Sequence, residues 1–209
     1  MPHHHDDMRS ACDHVCRSDP TLAKAYEIIG LPSWRAQPAS YASLARTIVY
    51  QQISTKAGDS IWARVSAWAE NNLTPERIVT TKETELQDCG LSRPKIRHMT
   101  TIAEAVLNGA LPLDRLHRFS DIEARKCLIA VKGIGPWTAE LFMMCSLRRI
   151  DAFPEGDVGM MEALRLLRED DERLSPKAFL ALAETWRPYR AAAAHLLWGY
   201  INHIRGDIR

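Results

Sequence analysis

Nowhere do about twenty apolar residues run together, so no segment reads as a membrane span. The first residues are polar and His-rich, and no secretory leader is expected from them. An excess of one charge is missing as well. With 27 Lys and Arg against 26 Asp and Glu, the net charge is +1 and bulk charge names no partner. Cysteine is sparse and odd in number: Cys12, Cys16, Cys89, Cys127 and Cys145 show no CxxC spacing. That fits a reducing compartment better than a disulfide framework. A reducing cytosol is the expected location. An iron–sulfur cluster needs four gathered ligands. No cysteine follows Cys145, so the C-terminal third cannot supply one.

Alternating strand patterns, internal repeats and low-complexity linkers are also absent. Helix signals recur instead. "SDPTLAKAYEIIG" offers Asp19 as N-cap, Pro20 in the first turn and Gly30 as a stop. "SYASLARTIVYQQIS" and "TKAGDSIWARVSAWAE" repeat apolar residues every three or four positions. "SDIEARKCLIAV" opens with a capping box, Ser120 and Glu123. About ten helices with short links predict an all-α protein of two helical lobes. The lobes are drawn roughly at 38–115 and 116–209, with helix 19–30 packing on the latter and an active-site cleft between them. Residues 1–18 read as a flexible polar terminus, with 19–209 as the folded domain. "HHHDDMRSACDHVC" has metal-ligating side chains, but a solvated, frayed terminus is the expectation.

One break in this helical pattern is abrupt. "AVKGIGPWTAELFMM" sets Lys-Gly-Ile-Gly-Pro between two apolar runs, although an interior Gly costs a helix about 1 kcal/mol and Pro about 3. The spacing predicts helix 121–131, a hairpin at 132–136 and helix 137–147. Gly133 and Gly135 let backbone N–H groups approach an anion, and the next helix adds its unpaired N-terminal donors. Lys132 and Ile134 complete the turn. A DNA phosphate suits such a site, and contacts of this kind position a protein without reading sequence.

"GIGPWTAELF" followed by "DAFPEGDVGMMEALRLL" resembles the helix–hairpin–helix, Gly/Pro-rich loop and aspartate signature of a DNA glycosylase superfamily (HhH-GPD). "IVYQQISTKAG", "CGLSRPKIRHM" and "WRPYRAAAAHLLWGY" are similarly placed to segments of its 3-methyladenine DNA glycosylase II branch. Several motifs in order make this far more specific than a lone Gly-x-Gly. It resembles a compact member without the N-terminal β-rich subdomain found in bacterial relatives.

The resemblance implies a catalytic carboxylate at Asp157, a position that also suits a helix N-cap. It places Trp137, Trp198, Leu141 and Val158 around the base. An aromatic lining has a physical logic, because a ring-alkylated base is often cationic and aromatic faces attract cations. Leu141, Val158 and Gly156 stand where larger or polar residues occur in the enzyme with the β-rich subdomain, which implies a wider cavity. Arg190 matches an arginine near the catalytic carboxylate and is expected to orient Asp157 or bind the DNA backbone, or else to form a surface ion pair. Gln52 aligns with the residue that fills the hole left by a flipped nucleotide. Arg93, Lys95 and Arg97 form a basic turn suited to phosphates. Main-chain carbonyls of Ile129, Lys132 and Ile134 are implied to hold a sodium or potassium ion.

Lyase-type relatives carry a Schiff-base lysine where this chain has Trp137, so a water-using, monofunctional hydrolase is expected. No catalytic cofactor is implied. The expected partner is double-stranded DNA bearing alkylated bases, met by a monomer. A glycosylase/lyase and a non-catalytic helix–hairpin–helix DNA-binding module are the alternatives. The missing hairpin lysine argues against the first, and Asp157 together with Trp137 argues against the second.

Overall fold

Capping chemistry decides where most helices begin. In a computed structural model, residues 4–206 are described, with side chains from Met8 onward. Twelve α-helices and two short 3₁₀ turns, at 116–118 and 184–186, occur among the described residues, and no strand does. The helices are α1 (His4–Ser18), α2 (Pro20–Ile29), α3 (Tyr41–Tyr50), α4 (Thr55–Trp68), α5 (Pro75–Thr80) and α6 (Glu83–Asp88). They continue as α7 (Arg93–Leu107), α8 (Asp121–Ile129), α9 (Pro136–Cys145), α10 (Val158–Arg168), α11 (Pro176–Ala183) and α12 (Arg190–Ile204). Among the described residues no helix is long and apolar enough to cross a membrane.

Asp19 caps α2 by accepting from Thr21 N–H at 2.8 Å, and Gly30 ends that helix at φ +70°. Ser120 and Glu123 close the expected capping box on α8. Around the hairpin, α9 starts one residue early at Pro136 and ends at Cys145, while α8 ends at Ile129, two residues earlier than the pattern predicts. Val131 and Ile134 explain this, because both are buried and joined by an Ile134 N–H to Val131 carbonyl bond of 3.0 Å. Anchoring them pulls the chain out of the helical path.

The residues divide into two units, one from 1–36 with 148–209 and one from 37–147. In the first, α12 is the central element. Ala191 to Ala194, Leu196, Leu197 and Ile201 are all buried. Gly199 lets Ile29 of α2 come so close that an added Cβ would clash. Phe153, Phe179 and Trp186 form an aromatic cluster with centroids 5.4–6.0 Å apart. The expected frayed terminus is instead the helix α1. Met8, Ala11, Cys12 and Val15 are buried on one face, which its polar composition conceals. Burial pushes the Cys12 thiol up to about 12, so it is an inert core residue. His3, in the possible chelating tract, lies outside the described residues, and no side chain of residues 1–7 is described. Among those that are, no group of His, Cys, Asp and Glu is arranged to hold a metal.

The second unit differs from the expected lobe. Residues 116–147 fall with 37–115, because α9 packs on α3 and α8 packs on α9. Its core draws on Leu44, Ile48 and Val49 of α3, Met99 and Ile102 of α7, Leu128 of α8, and Phe142 and Met143 of α9. Tyr41 Oη donates to the buried Met99 carbonyl at 2.9 Å, and Arg125 ties α8 to Glu140 of α9 at 2.8 Å.

Candidate active site

The turn 154–157 delivers Asp157 to the start of α10. Gly156 takes a left-handed φ of +73°, which glycine adopts without strain. Asp157 is the N-cap of α10, and its Oδ1 accepts the Met160 N–H at 2.9 Å. The same oxygen accepts the indole Nε1–H of Trp198, from α12, at 3.1 Å. Two donors on one oxygen fix the direction of the carboxylate. An added Cβ on Gly159 would stand 3.2 Å from that oxygen, so its small size leaves the site room. Asp157 is half-buried, Trp198 is buried, and the neighbouring Val158 is 58% exposed.

The indole of Trp198 is held on further sides. His195, one turn earlier, meets it edge-on with centroids 5.9 Å apart. The guanidinium of Arg35 lies over its ring, 5.1 Å from the centroid. His195 itself has both nitrogens engaged. Nδ1–H donates to the Ala191 carbonyl at 2.7 Å, and Nε2 accepts the Arg35 main-chain N–H at 3.1 Å. Burial holds this imidazole down at about 4, well below its usual 6.5, so it is neutral at ordinary pH.

Arg190 takes the ion-pair alternative. Its guanidinium bonds Asp151 through Nε at 3.0 Å and Nη2 at 3.1 Å, and Glu184 through Nη1 at 2.9 Å. Arg187 joins the same two acids. Asp151 provides a two-oxygen acceptor matched to the guanidinium fork, which explains why Arg190 is engaged there. Its described contacts anchor the start of α12, the helix that carries Trp198.

In the second unit, Gly133 has a φ of +103°, and a Cβ there would meet the His98 side chain at 2.8 Å. Only glycine fits. Gly135 is different: it is the N-cap of α9 at φ −82°, and an added Cβ meets nothing within 4 Å. No side chain caps α9 at this end. Among the described residues, no backbone N–H outside the helices bonds the carbonyls of Ile129, Lys132 or Ile134. Those oxygens fit the ligand chemistry of a monovalent cation. Lys132 is exposed beside a cleft of about 380 Å³, which Arg97 and His98 also line. Trp137 and Leu141 lie one turn apart on α9, both half-buried.

The loop after α3 carries Gln52 at its exposed turn, in a left-handed conformation with φ +57°. Two bonds brace it. Gln51 Nε2 donates to Thr138 Oγ1 on α9 at 2.8 Å, and Lys95 Nζ donates to the Val49 carbonyl at 2.7 Å. Lys95 therefore departs from the expected phosphate role. A free C-terminal carbonyl of α3 lies within its reach, and burial lowers its ammonium from the usual lysine range. Arg93 remains mostly exposed, 3.3 Å from Glu83.

Sequence reasoning missed Arg35, Gln51, Thr138, Gly159 and His98. Their partners are distant in sequence or act through backbone, and no motif marks them. Only "YQQIS", with a second glutamine beside the expected plug, held a local hint.

Comparison with known proteins places these features in a lineage. A family model described as HhH-GPD superfamily base excision DNA repair protein matches residues 45–188. The chain is 33% identical over 161 residues to DNA-3-methyladenine glycosylase 1 of Schizosaccharomyces pombe, covering 76% of this chain and 71% of that one. It is 32% identical over 143 residues to a DNA-3-methyladenine glycosylase of Bacillus subtilis, 68% of this chain but 46% of that protein's length. Among solved structures, the Schizosaccharomyces pombe 3-methyladenine DNA glycosylase in complex with abasic DNA superposes with a TM-score of 0.82 at 29% identity. That match covers 90% of this chain and 95% of the other.

Proposed function

We propose that this chain, which belongs to the HhH-GPD superfamily of base excision DNA repair proteins, is a monofunctional DNA glycosylase that releases alkylated bases from double-stranded DNA. The observation that carries the reading is the double hydrogen bond on Asp157 Oδ1, from Met160 N–H and Trp198 Nε1–H. It joins the expected catalytic carboxylate to an aromatic ring of the expected base site.

Reaching an N-glycosidic bond inside a duplex requires extruding the nucleotide, and the vacated space must be filled. Gln52, exposed on a braced turn, is the filler. The hairpin holds a phosphate through the N–H groups at Gly133 and Gly135 and the open start of α9, with Lys132 and Arg97 adding charge. The Ile134 N–H is instead bonded to the Val131 carbonyl and departs from its expected DNA role. A sodium or potassium ion on the Ile129, Lys132 and Ile134 carbonyls would supply a further positive charge to that phosphate. Arg93 contributes a peripheral contact. Val158 and Trp198, on the elements that flank Asp157, receive the base, and the resemblance assigns Trp137 and Leu141 the same role.

As the bond from C1′ to the base nitrogen breaks, its electron pair leaves with the base and the sugar becomes oxocarbenium-like. The fixed Asp157 carboxylate stabilises that charge and orients water. Water then bonds C1′ and loses a proton, leaving an abasic site. A cationic alkylpurine leaves as a neutral base and needs no strong acid. Arg190 positions α12, and thereby Trp198, through Asp151. With Trp137 in place of a Schiff-base lysine, strand cleavage is not part of the reaction. The enzyme acts as a monomer. Its five free thiols suit a reducing compartment, the bacterial cytoplasm or a eukaryotic nucleus.

Base release from methylated duplex DNA tests this. The native chain is expected to free 3-methyladenine or 7-methylguanine and to form no borohydride-trapped adduct, whereas Asp157→Asn binds DNA but frees little base. Near-native release by Asp157→Asn, or a trapped adduct in high yield, refutes the assignment.

A further inference from the structure

We infer that Arg35 is a specificity-determining residue: its guanidinium caps the face of Trp198 and restrains the preference for positively charged bases over neutral ones. The inference rests on the reading of Trp198 as part of the base site. Trp198 is 8% exposed while Arg35 is exposed, and the guanidinium stands 5.1 Å from the ring centroid. The charge thus covers the indole from the solvent side. Asp157 holds the indole N–H and His195 meets the ring edge-on. A flipped base that stacks on this indole from solvent meets Arg35 first.

The backbone of Arg35 is anchored beside the indole. Its main-chain N–H is bonded to His195 Nε2, and the Trp34 ring lies 5.0 Å from the same imidazole. Any incoming base must displace the guanidinium and forfeits the same cation–π contact, so this cost does not discriminate. What discriminates is the charge that stays nearby. A cationic ring on Trp198 meets a guanidinium tethered to the adjacent backbone, whereas a neutral ring does not. Arg35 therefore acts against cationic alkylpurines and keeps neutral lesions within range of the site.

The experiment measures dissociation constants in the Asp157→Asn background, so that no lesion is excised. One duplex carries 7-methylguanine, which is cationic, and the other ethenoadenine, which is neutral. Arg35→Met is expected to shift the ratio of the two constants about fivefold towards the cationic lesion. Arg35→Lys should keep the original ratio, and high salt should shrink the shift. A ratio unchanged by Arg35→Met overturns the inference, including the case in which both affinities fall equally because Arg35 only touches DNA backbone. Trp198→Leu separates the two levels. If it binds both lesions as tightly as its parent, the base-site reading itself fails. If it loses both lesions while Arg35→Met leaves the ratio fixed, only the role of Arg35 fails.

Discussion

Trp198 donates its indole N–H to Oδ1 of Asp157 at 3.1 Å, on the oxygen that also caps α10. The same unit contains a second copy of this device. Trp186 Nε1 donates to Oδ2 of Asp19 at 3.0 Å, and Asp19 caps α2. Asp19 is 5% exposed and Trp186 fully buried, so that copy serves the core. Asp157 is half-buried and follows a glycine-bent turn. An indole donor on a capping aspartate thus serves structure at one place, where the two donors take separate oxygens, and presents a carboxylate at the other, where they share one.

Trp198→Phe keeps an aromatic ring and removes only the indole donor. A hydrogen bond to a charged group contributes about 1.5–3 kcal/mol, so excision should fall by about tenfold or more. DNA affinity should change little, because Asp157 Oδ1 still accepts the Met160 N–H and caps α10. Single-turnover excision is the measurement, and an unchanged rate would show that the bond does not hold Asp157 for chemistry.

The two hairpin glycines should behave differently. Gly133→Ala forces a left-handed φ of +103° on a residue with a Cβ and drives it into His98. A loss of about 1–2 kcal/mol of stability is expected. Gly135→Ala meets open space at φ −82° and should leave the melting temperature near native. A phosphate held at this turn would meet the added methyl group, so affinity for undamaged duplex should drop. Melting curves beside fluorescence anisotropy titrations check both, and equal effects of the two changes would contradict the assignment.

Gln52→Ala should slow excision more in a fully paired duplex than opposite a mismatch, because the plug offsets lost stacking. Gln52→Gly should do the same while raising stability slightly, since φ +57° suits glycine. Equal losses on both substrates would assign Gln52 to the loop fold alone.

Much of the helical layout was legible because caps are local. Asp19 with Pro20, Ser120 with Glu123, and Asp157 each announce a helix start within four residues. Helix α1 was hidden because its buried positions, Met8, Ala11, Cys12 and Val15, sit in a strongly polar segment. With six residues each, α5 and α6 are too short for a period to register. The lobe limit was misplaced because α9 belongs with α3 through tertiary packing, not sequence proximity. Within the site, Asp157 could be read from its turn. Its bond to Trp198, 41 residues away, could not, and nor could the hold of Lys95 on Val49.

That hold makes a contrast between two lysines. Each phosphate contact removed lowers the salt slope of DNA binding by about one. Lys132→Ala should show that change with little loss of stability, because Lys132 is exposed. Lys95→Met should destabilise the fold and disturb the Gln52 turn while leaving the salt slope intact. Titrations at several salt concentrations decide, and a slope change in Lys95→Met would restore it as a phosphate ligand.

The final prediction concerns acid. Burial is the main cause that holds His195 at about 4; the Ala191 bond opposes it, and the Arg35 charge lowers it further. Unfolded, the imidazole returns to about 6.5. Between these values the unfolded chain binds the extra proton and the folded one does not. Stability therefore rises with pH through this window, is complete above about 6.5, and is lost as pH falls towards 4. The contribution is on the order of 3 kcal/mol. Glu162 and Glu184, lowered by their arginine partners, lose their share only at more acid pH, so the interval from about pH 5 to 6.5 isolates the histidine. Protonating Nε2 would also turn an acceptor into a donor facing the Arg35 N–H, which loosens the segment over Trp198. Urea unfolding of the native chain and of His195→Gln at a series of pH values measures the effect. The native chain should lose stability steeply across that interval, and His195→Gln should vary far less. Parallel curves would mean that another group governs the acid response.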